Sequence, residues 1–185
     1  MKKIILTVFA ATSLLLYSTP SFAFSLSVGM PMDHTISDDT IHLAGYDKPS
    51  GYFLGVQLPF AVGLGMDSYK TKLKETETKL GTDMYNIFYQ LPIPVINLII
   101  GLGTGNQALE CDAGSLEGTN LSCADVYDKG SATQWYTSIG FPIMPLFDIH
   151  LSYRSITSKN VTRKSNDYKF DFSGNVTGVG IAFNF

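Results

Sequence analysis

The chain closes on a strict alternation. Val179, Ile181, Phe183 and Phe185 fall on one side of a period-two pattern, and Gly178, Gly180, Ala182 and Asn184 fall on the other. Such a pattern describes a β-strand between two unlike environments, one accepting bulky apolar groups and one accepting only small or polar ones. Chain ends fray unless something holds them, so a terminal strand finishing on an aromatic residue is a strand with a partner.

The same alternation recurs upstream. Phe24 to Met30 sets Leu26, Val28 and Met30 against Ser25, Ser27 and Gly29, and Gly51 to Leu58 sets Tyr52, Leu54 and Val56 against Phe53, Gly55 and Gln57. Further strands are expected over Ala61 to Thr71, Thr82 to Leu91, Ile96 to Gly103, Ala132 to Phe141 and Phe147 to Arg154. Short Pro-bearing turns at Pro59, Pro92-Ile93-Pro94 and Pro142 to Pro145 alternate with longer polar segments. Those segments are Pro31 to Ser50, Lys70 to Leu80, Gly105 to Ser131 and Ser155 to Gly174; the second suits either a short helix or a hairpin. Tyr168, Phe170 and Phe172 also alternate, and counting them into the last strand requires a phase change near Gly174 or Gly178, as a bulge supplies.

Met1 to Ala23 reads as a signal peptide: Lys2 and Lys3, the apolar run Ile4 to Leu16, then Ser21-Phe22-Ala23 before Phe24. The expected domain is therefore 24–185. Without the two leader lysines the 13 basic residues fall to 11 against 16 acids, a net charge of −5 that argues against nucleic-acid binding. No later apolar run reaches the ~20 residues that a spanning helix needs. A chain of this kind crosses a membrane with strands, and since open sheet edges in hydrocarbon would leave N–H and C=O groups unpaired, the strands must close. Cys111 and Cys123 form a pair in an exported chain, which reads as a loop disulfide.

An even number of short strands, short turns at one end, long loops at the other and a terminal Phe together resemble the eight-stranded bacterial outer-membrane β-barrels, of which the OmpA transmembrane domain, OmpX and OmpW are examples. That resemblance implies an all-β, antiparallel transmembrane barrel in the outer membrane, in contact with its lipid and lipopolysaccharide. It also implies that Val179, Ile181, Phe183 and Phe185 act as the signal read by the barrel assembly machinery. Tyr52, Tyr85, Tyr89, Trp135 and Tyr153 are candidates for the aromatic girdles. The soluble alternative is a secreted β-sandwich or lipocalin-like barrel, using Asn120-Leu-Ser122, Asn160-Val-Thr162 and Asn175-Val-Thr177 as glycosylation acceptors.

The inward face carries the chemistry. Asp148, His150, Ser152 and Arg154 share one face at spacing two, which offers His150 as a base and Ser152 as a nucleophile. His150-x-Ser152 is also similar to the short motif of outer-membrane lipid A deacylases, but that family carries the pair on the lipid side and Tyr153-Arg154 departs from its motif. The favoured reading is a lumen network of Asp67, Asn86, Gln90, Asn97, Gln134, Asp148, His150, Ser152 and Arg154, in which buried charges find partners across a narrow polar lumen. His34 and His42, with Asp33, Asp38 and Asp39, form a solvated acidic loop with at most weak metal affinity. No catalytic set, metal or cofactor is expected. Function is expected in the extracellular loops, through a ligand that the sequence does not name. The alternatives are a lipid A hydrolase and a narrow channel for small apolar molecules.

Overall fold

The computed structural model describes residues 24–37, 45–74, 78–91, 93, 96–111, 121–144, 146–159, 161–165 and 169–185. The expected signal peptide, and His42, Asp38 and Asp39 with it, lie outside the described residues. Eight strands close a barrel: β1 (Ser25–Ile36), β2 (Ser50–Gln57), β3 (Val62–Lys72), β4 (Lys79–Leu91), β5 (Asn97–Glu110), β6 (Gly130–Met144), β7 (Phe147–Ser158) and β10 (Gly174–Asn184). Each barrel strand pairs antiparallel with the next barrel strand along the chain, β7 with β10 included, and β1 pairs with β10 to remove both edges. At the long-loop end stand a one-turn helix, α1 (Cys123–Val126), and a small hairpin, β8 (Val161–Thr162) with β9 (Lys169–Phe170). Among the described residues no helix is long and apolar enough to cross a membrane.

The outer wall is apolar around the circumference. Leu26, Leu54, Leu64, Ile87, Leu102, Ile139, Leu151 and Ile181 are all exposed, an area no water-soluble monomer leaves bare. The soluble sandwich is thus the reading that the wall contradicts. The five expected girdle aromatics all point outward; Trp135 and Tyr153 pack together with centroids 5.8 Å apart, while Tyr89 sits nearer the short turns beside Val62 and Ile100.

Several strands run further than the alternation foretold. β1 continues through Pro31 to Ile36, so His34 is a fully buried lumen residue and not part of a solvated loop. β5 reaches Glu110, which shortens the largest loop from its Gly105 end, and β6 runs past Pro142 to Met144. Both prolines sit at register shifts, Pro31/Asp33 against β10 and Pro142/Met144 against β7. A residue without an N–H is cheap where the ladder is already interrupted. The bulge also swaps the inward parity of β1 from odd to even numbers, which is why His34 and Ile36 turn inward. No phase change occurs in β10; Phe170 belongs to β9 and not to the last strand. The described flanks of the Lys70 to Leu80 stretch continue the β3–β4 ladder, Thr71 opposite Leu80 and Lys72 opposite Lys79, as a hairpin and not a helix requires.

The lumen is filled, as a network of paired side chains implies, but it is not polar throughout. Reading the inward side chains of β4 in order gives Leu80, Thr82, Met84, Asn86, Phe88 and Gln90, and each heads a layer. Apolar plates built on Met84 (Phe53, Tyr69, Ala132, Ile156, Val176) and on Phe88 (Ile99, Tyr136) alternate with polar tiers. Glycines make room for the large rings. A Cβ on Gly101 would stand 2.1 Å from the Tyr136 ring, and one on Gly63 would stand 2.1 Å from Phe88, each the cross-strand partner. Gly101→Ala is expected to lower stability by about 1–3 kcal/mol through overpacking, read as a shift in the urea midpoint of the detergent-folded protein.

Candidate functional site

Two candidate regions lie along the barrel axis: the charged centre of the lumen and the cap above it. At the Asn86 level the Asp67 carboxylate is 1% exposed and receives four hydrogen bonds: Arg154 Nε at 2.9 Å and Arg154 Nη2 at 3.3 Å, Gln134 Nε2 at 2.6 Å and Asn86 Nδ2 at 3.0 Å. Gln134 Nε2 also lies 2.6 Å from Asn86 Oδ1, and Arg154 Nη1 donates to Ser152 Oγ at 2.6 Å. The guanidinium lies over Phe53, 3.5 Å from the ring centroid, and 5.0 Å from that of Tyr136. A buried carboxylate with a bidentate cation, two amide donors and an aromatic clamp has the partners that a charge in low dielectric requires.

A second network occupies the Gln90 level at the short-turn end. Asp148 accepts from Asn97 Nδ2 and from Asn184 Nδ2, the latter at 2.9 Å, and Gln90 Nε2 donates to Asn97 Oδ1 at 2.7 Å. His150 Nε2 is 3.9 Å from Asp148 Oδ2, and its Nδ1 is 3.2 Å from Ser138 Oγ. The nine residues read from the sequence as one lumen network thus divide into two, separated by the Phe88, Ile99 and Tyr136 plate. A cavity of about 60 Å³ touches Arg154, Ser138, His150 and Ser152, room for a few waters at most. His150 turns its Nδ1 to Ser138, while Ser152 Oγ is held by Arg154 and meets the Gly178 carbonyl at 3.3 Å. His150 Nδ1 and Ser152 Oγ are therefore paired elsewhere and not with each other, inside the wall, and His150 Nε2 is buried without a hydrogen bond.

The third polar tier lies at the Thr82 level. His34 Nδ1 is 2.7 Å from Thr71 Oγ1, and Gln107 Nε2 reaches both Thr82 Oγ1 and the Phe172 carbonyl at 3.3 Å. Above it Ile36, Leu80, Val161 and Phe172 form a buried apolar cluster, flanked by Tyr46, Leu73, Leu109, Tyr127 and Phe170. The loops are joined in pairs. Lys74 N donates to Gly45 O and Asp47 N to Lys72 O, while Asp128 N donates to Thr162 O and Lys164 N to Val126 O. Cys111 and Cys123 form a disulfide with Cα atoms 5.2 Å apart. At the start of α1 the Ser122 amide and hydroxyl both donate to Asp125, holding its carboxyl below the usual carboxylate range. Among the described residues no group of three or more His, Cys, Asp or Glu side chains could hold a metal ion.

At the other end, Val179, Ile181, Phe183 and Phe185 lie on the outward face of the closing strand. Phe183 packs on Phe147 with centroids 4.6 Å apart, and Phe185 N donates to Phe24 O at 2.8 Å. Sequence reasoning placed His34 in a loop, and it put Ser138, Asn184, Phe53, Phe88 and Tyr136 on the small or polar face of their strands without naming them as members of a network or plate. Phe53, Phe88 and Tyr136 share the parity of Gly55, Asn86 and Gln134, so the signal was present in the alternation itself.

Compared by sequence, the chain matches no family model and no curated protein. Compared by structure, it is similar to Neisserial surface protein A, with a TM-score of 0.60 at 13% identity over 89% of this chain and 98% of that one. It is also similar to the N-terminal barrel domain of Pseudomonas aeruginosa OprF (0.54, 11%, over 89% and 98%) and to E. coli outer membrane protein W (0.51, 10%, over 88% and 97%). At these identities the likeness establishes the fold, that of the small eight-stranded outer-membrane barrels.

Breaking the central pair tests the network. Asp67→Asn or Arg154→Met alone is expected to cost about 3–5 kcal/mol, because each leaves a buried group uncompensated. The double variant should cost clearly less than the sum, a coupling read from urea unfolding of all four proteins.

Proposed function

We propose that this chain is an outer-membrane protein, exported by its first 23 residues, that works through the cap at its long-loop end as a structural or surface-interaction protein. It is not a pore, an enzyme or a cofactor carrier. The observation that carries the reading is the lumen: apolar plates and the Asp67–Arg154 centre fill the cross-section at successive levels, beneath a cap that is folded and stapled by a disulfide. An eight-stranded barrel is just wide enough for its side chains to fill, and what remains for selection to act on is the exposed end. The lipid-facing wall meets outer-membrane lipid and lipopolysaccharide. Val179, Ile181, Phe183 and Phe185 present the row that the assembly machinery reads, and the cap meets an extracellular ligand.

The tests separate these parts. The folded protein is expected in the outer-membrane fraction with a mobility that shifts on boiling, and reconstituted in planar bilayers it is expected to give no steady conductance. A soluble, non-shifting protein would overturn the membrane reading, and discrete channel openings would overturn the closed lumen. The hydrolase alternative meets its own test in lipid A profiles, which are expected to be the same for cells carrying wild type, Ser152→Ala or no copy of the protein.

A further inference from the structure

The end of the barrel opposite the cap is apolar to its tips. Phe60, Ile143, Met144 and Leu146 stand 68%, 56%, 58% and 55% exposed on its turns, with Leu58 and Ile93 exposed beside them. Among the described residues its outward and turn positions include no Lys, Arg, Asp or Glu, and its one acidic side chain, Asp148, is buried in the lumen. The long-loop end, by contrast, bears Lys70, Lys72, Lys79 and Glu110. The tight turn between β2 and β3 is the sharpest case. Phe60 and Ala61 both hold left-handed backbone, with φ of 82° and 64°, where Asn or Gly is the ordinary choice and a bulky side chain is an outlier. Water gives no reason to keep a phenyl ring at such a position, whereas an apolar surrounding does.

The height of the wall says what surrounds these turns. The outward run below the last polar position is Tyr85 to Leu91 in β4, Trp135 to Phe141 in β6 and Phe147 to Tyr153 in β7, with Asp83, Thr133 and Ser155 the next outward residues toward the cap. At about 3.3 Å per residue and a tilt of about 40°, each run rises about 15 Å, against an apolar band of roughly 25 Å on barrels of this type. The strands alone leave the wall about 10 Å short of its membrane, and the apolar turns lie in line to supply the difference. The aromatic residues agree. Tyr52, Tyr85, Trp135 and Tyr153 mark the edge toward the cap, where a polar tip suits a wet boundary, while the opposite edge is set with Phe141, Phe147, Phe183 and Phe185, Tyr89 excepted. Backbone groups near the turns are provided for as well. Leu58 N donates to Val62 O at 2.7 Å, Gln90 N to Ala61 O and Ile93 N to Leu91 O, both at 2.8 Å, and Pro59 and Pro142 have no N–H to satisfy.

We propose that the short-turn rim is a lipid-docking surface: Leu58, Phe60, Ile93, Ile143, Met144 and Leu146 lie against the acyl chains of inner-leaflet phospholipid and complete the apolar band that the strands leave short. The inference rests on the reading of the chain as an outer-membrane barrel with its short turns toward the periplasm. Irregular backbone does not lie deep in hydrocarbon, so the turns sit at the boundary between acyl chains and headgroups with their side chains on the acyl side. With no charged side chain on its outer surface, the rim has nothing to offer the headgroups and continues the lipid-facing wall instead. It is held in the membrane and not presented to the periplasm, which leaves contact with other proteins to the cap.

Tryptophan quenching tests this on the full chain folded into phosphatidylcholine vesicles whose acyl chains are brominated near the carboxyl end. Trp135 is the one tryptophan, so Trp135→Phe/Phe60→Trp and Trp135→Phe/Ile143→Trp each place a single probe on a different turn, with mobility before and after boiling to show that each has folded. Both probes are expected to be quenched by the brominated lipid as strongly as Trp135 is in the unmodified protein, and to be shielded from acrylamide in the water. Quenching by acrylamide and not by bromine means a rim that stands in the periplasm, and overturns the proposal. Shielding from both quenchers means a rim covered by a second copy of the chain, and overturns it too. The unmodified protein gives the same answer by nuclear magnetic resonance: a nitroxide on the lipid chain is expected to broaden the amide signals of residues 60 and 143 as much as that of residue 139 on the wall, and sharp signals from the turns beside a broadened wall sink the proposal. Should Trp135 itself escape the brominated lipid, the barrel reading falls instead.

Discussion

Hydrocarbon offers no partner to an unpaired N–H or C=O, and the pairing of β1 with β10 is the contact by which this chain meets that constraint. Everything else in the wall is local: each remaining strand pairs with the one before it. The closing contact alone joins the two ends of the barrel sequence, from Ser25 opposite Asn184 to Ile36 opposite Gly174. It explains the bulge at Pro31/Asp33, which keeps the two strands in register while changing which side chains of β1 turn inward. It also explains why a terminal strand so rich in glycine is held firmly, since β10 is laddered on both sides.

Closure then sets the problem of the interior. A barrel of this circumference has space for side chains and little else, and the chain fills that space by alternation along the axis. Had the lumen been uniformly polar, as the Gly, Ser, Asn and Gln content implied, it would have needed many bridging waters. Placing Phe53, Phe88 and Tyr136 inside, each with a glycine across the strand on at least one side (Gly29, Gly63 and Gly101), shields the central ion pair and gives its cation two aromatic faces. The polar groups that remain are concentrated in tiers where most find a partner, although His34 Nε2, Gln107 Oε1, Gln134 Oε1 and His150 Nε2 are buried without a hydrogen bond.

The fold was legible because a lipid-exposed wall imposes a period of two on every strand, and no tertiary preference can override a period that the solvent itself enforces. Val62, Leu64 and Met66 against Gly63, Gly65 and Asp67 is read correctly from β3 alone. Strand ends were less legible. Beyond the apolar band both faces of the sheet meet protein or water, so the alternation fades although the ladder continues, at the long-loop end in β5 beyond Gly103 and at the short-turn end in β6 beyond Phe141. Proline was read as a terminator at Pro31 and Pro142 because a bulge leaves no mark in sequence. The polar residues of the lumen were recognisable by parity, but their division into two networks depends on register between strands, which one sequence does not carry.

The reach of the β1–β10 contact bears on how the protein comes to exist at all. Seven of the eight pairings join strands that follow one another along the barrel and can form as soon as both are available, while the eighth waits for the last. Until β10 arrives, the growing sheet carries two open borders of unpaired backbone beside a greasy outer face, the combination most prone to sticking to other chains. A closure this late and long-range is slow to find, which lengthens that interval. The row of Val179, Ile181, Phe183 and Phe185 lies on the strand whose arrival ends that vulnerable interval.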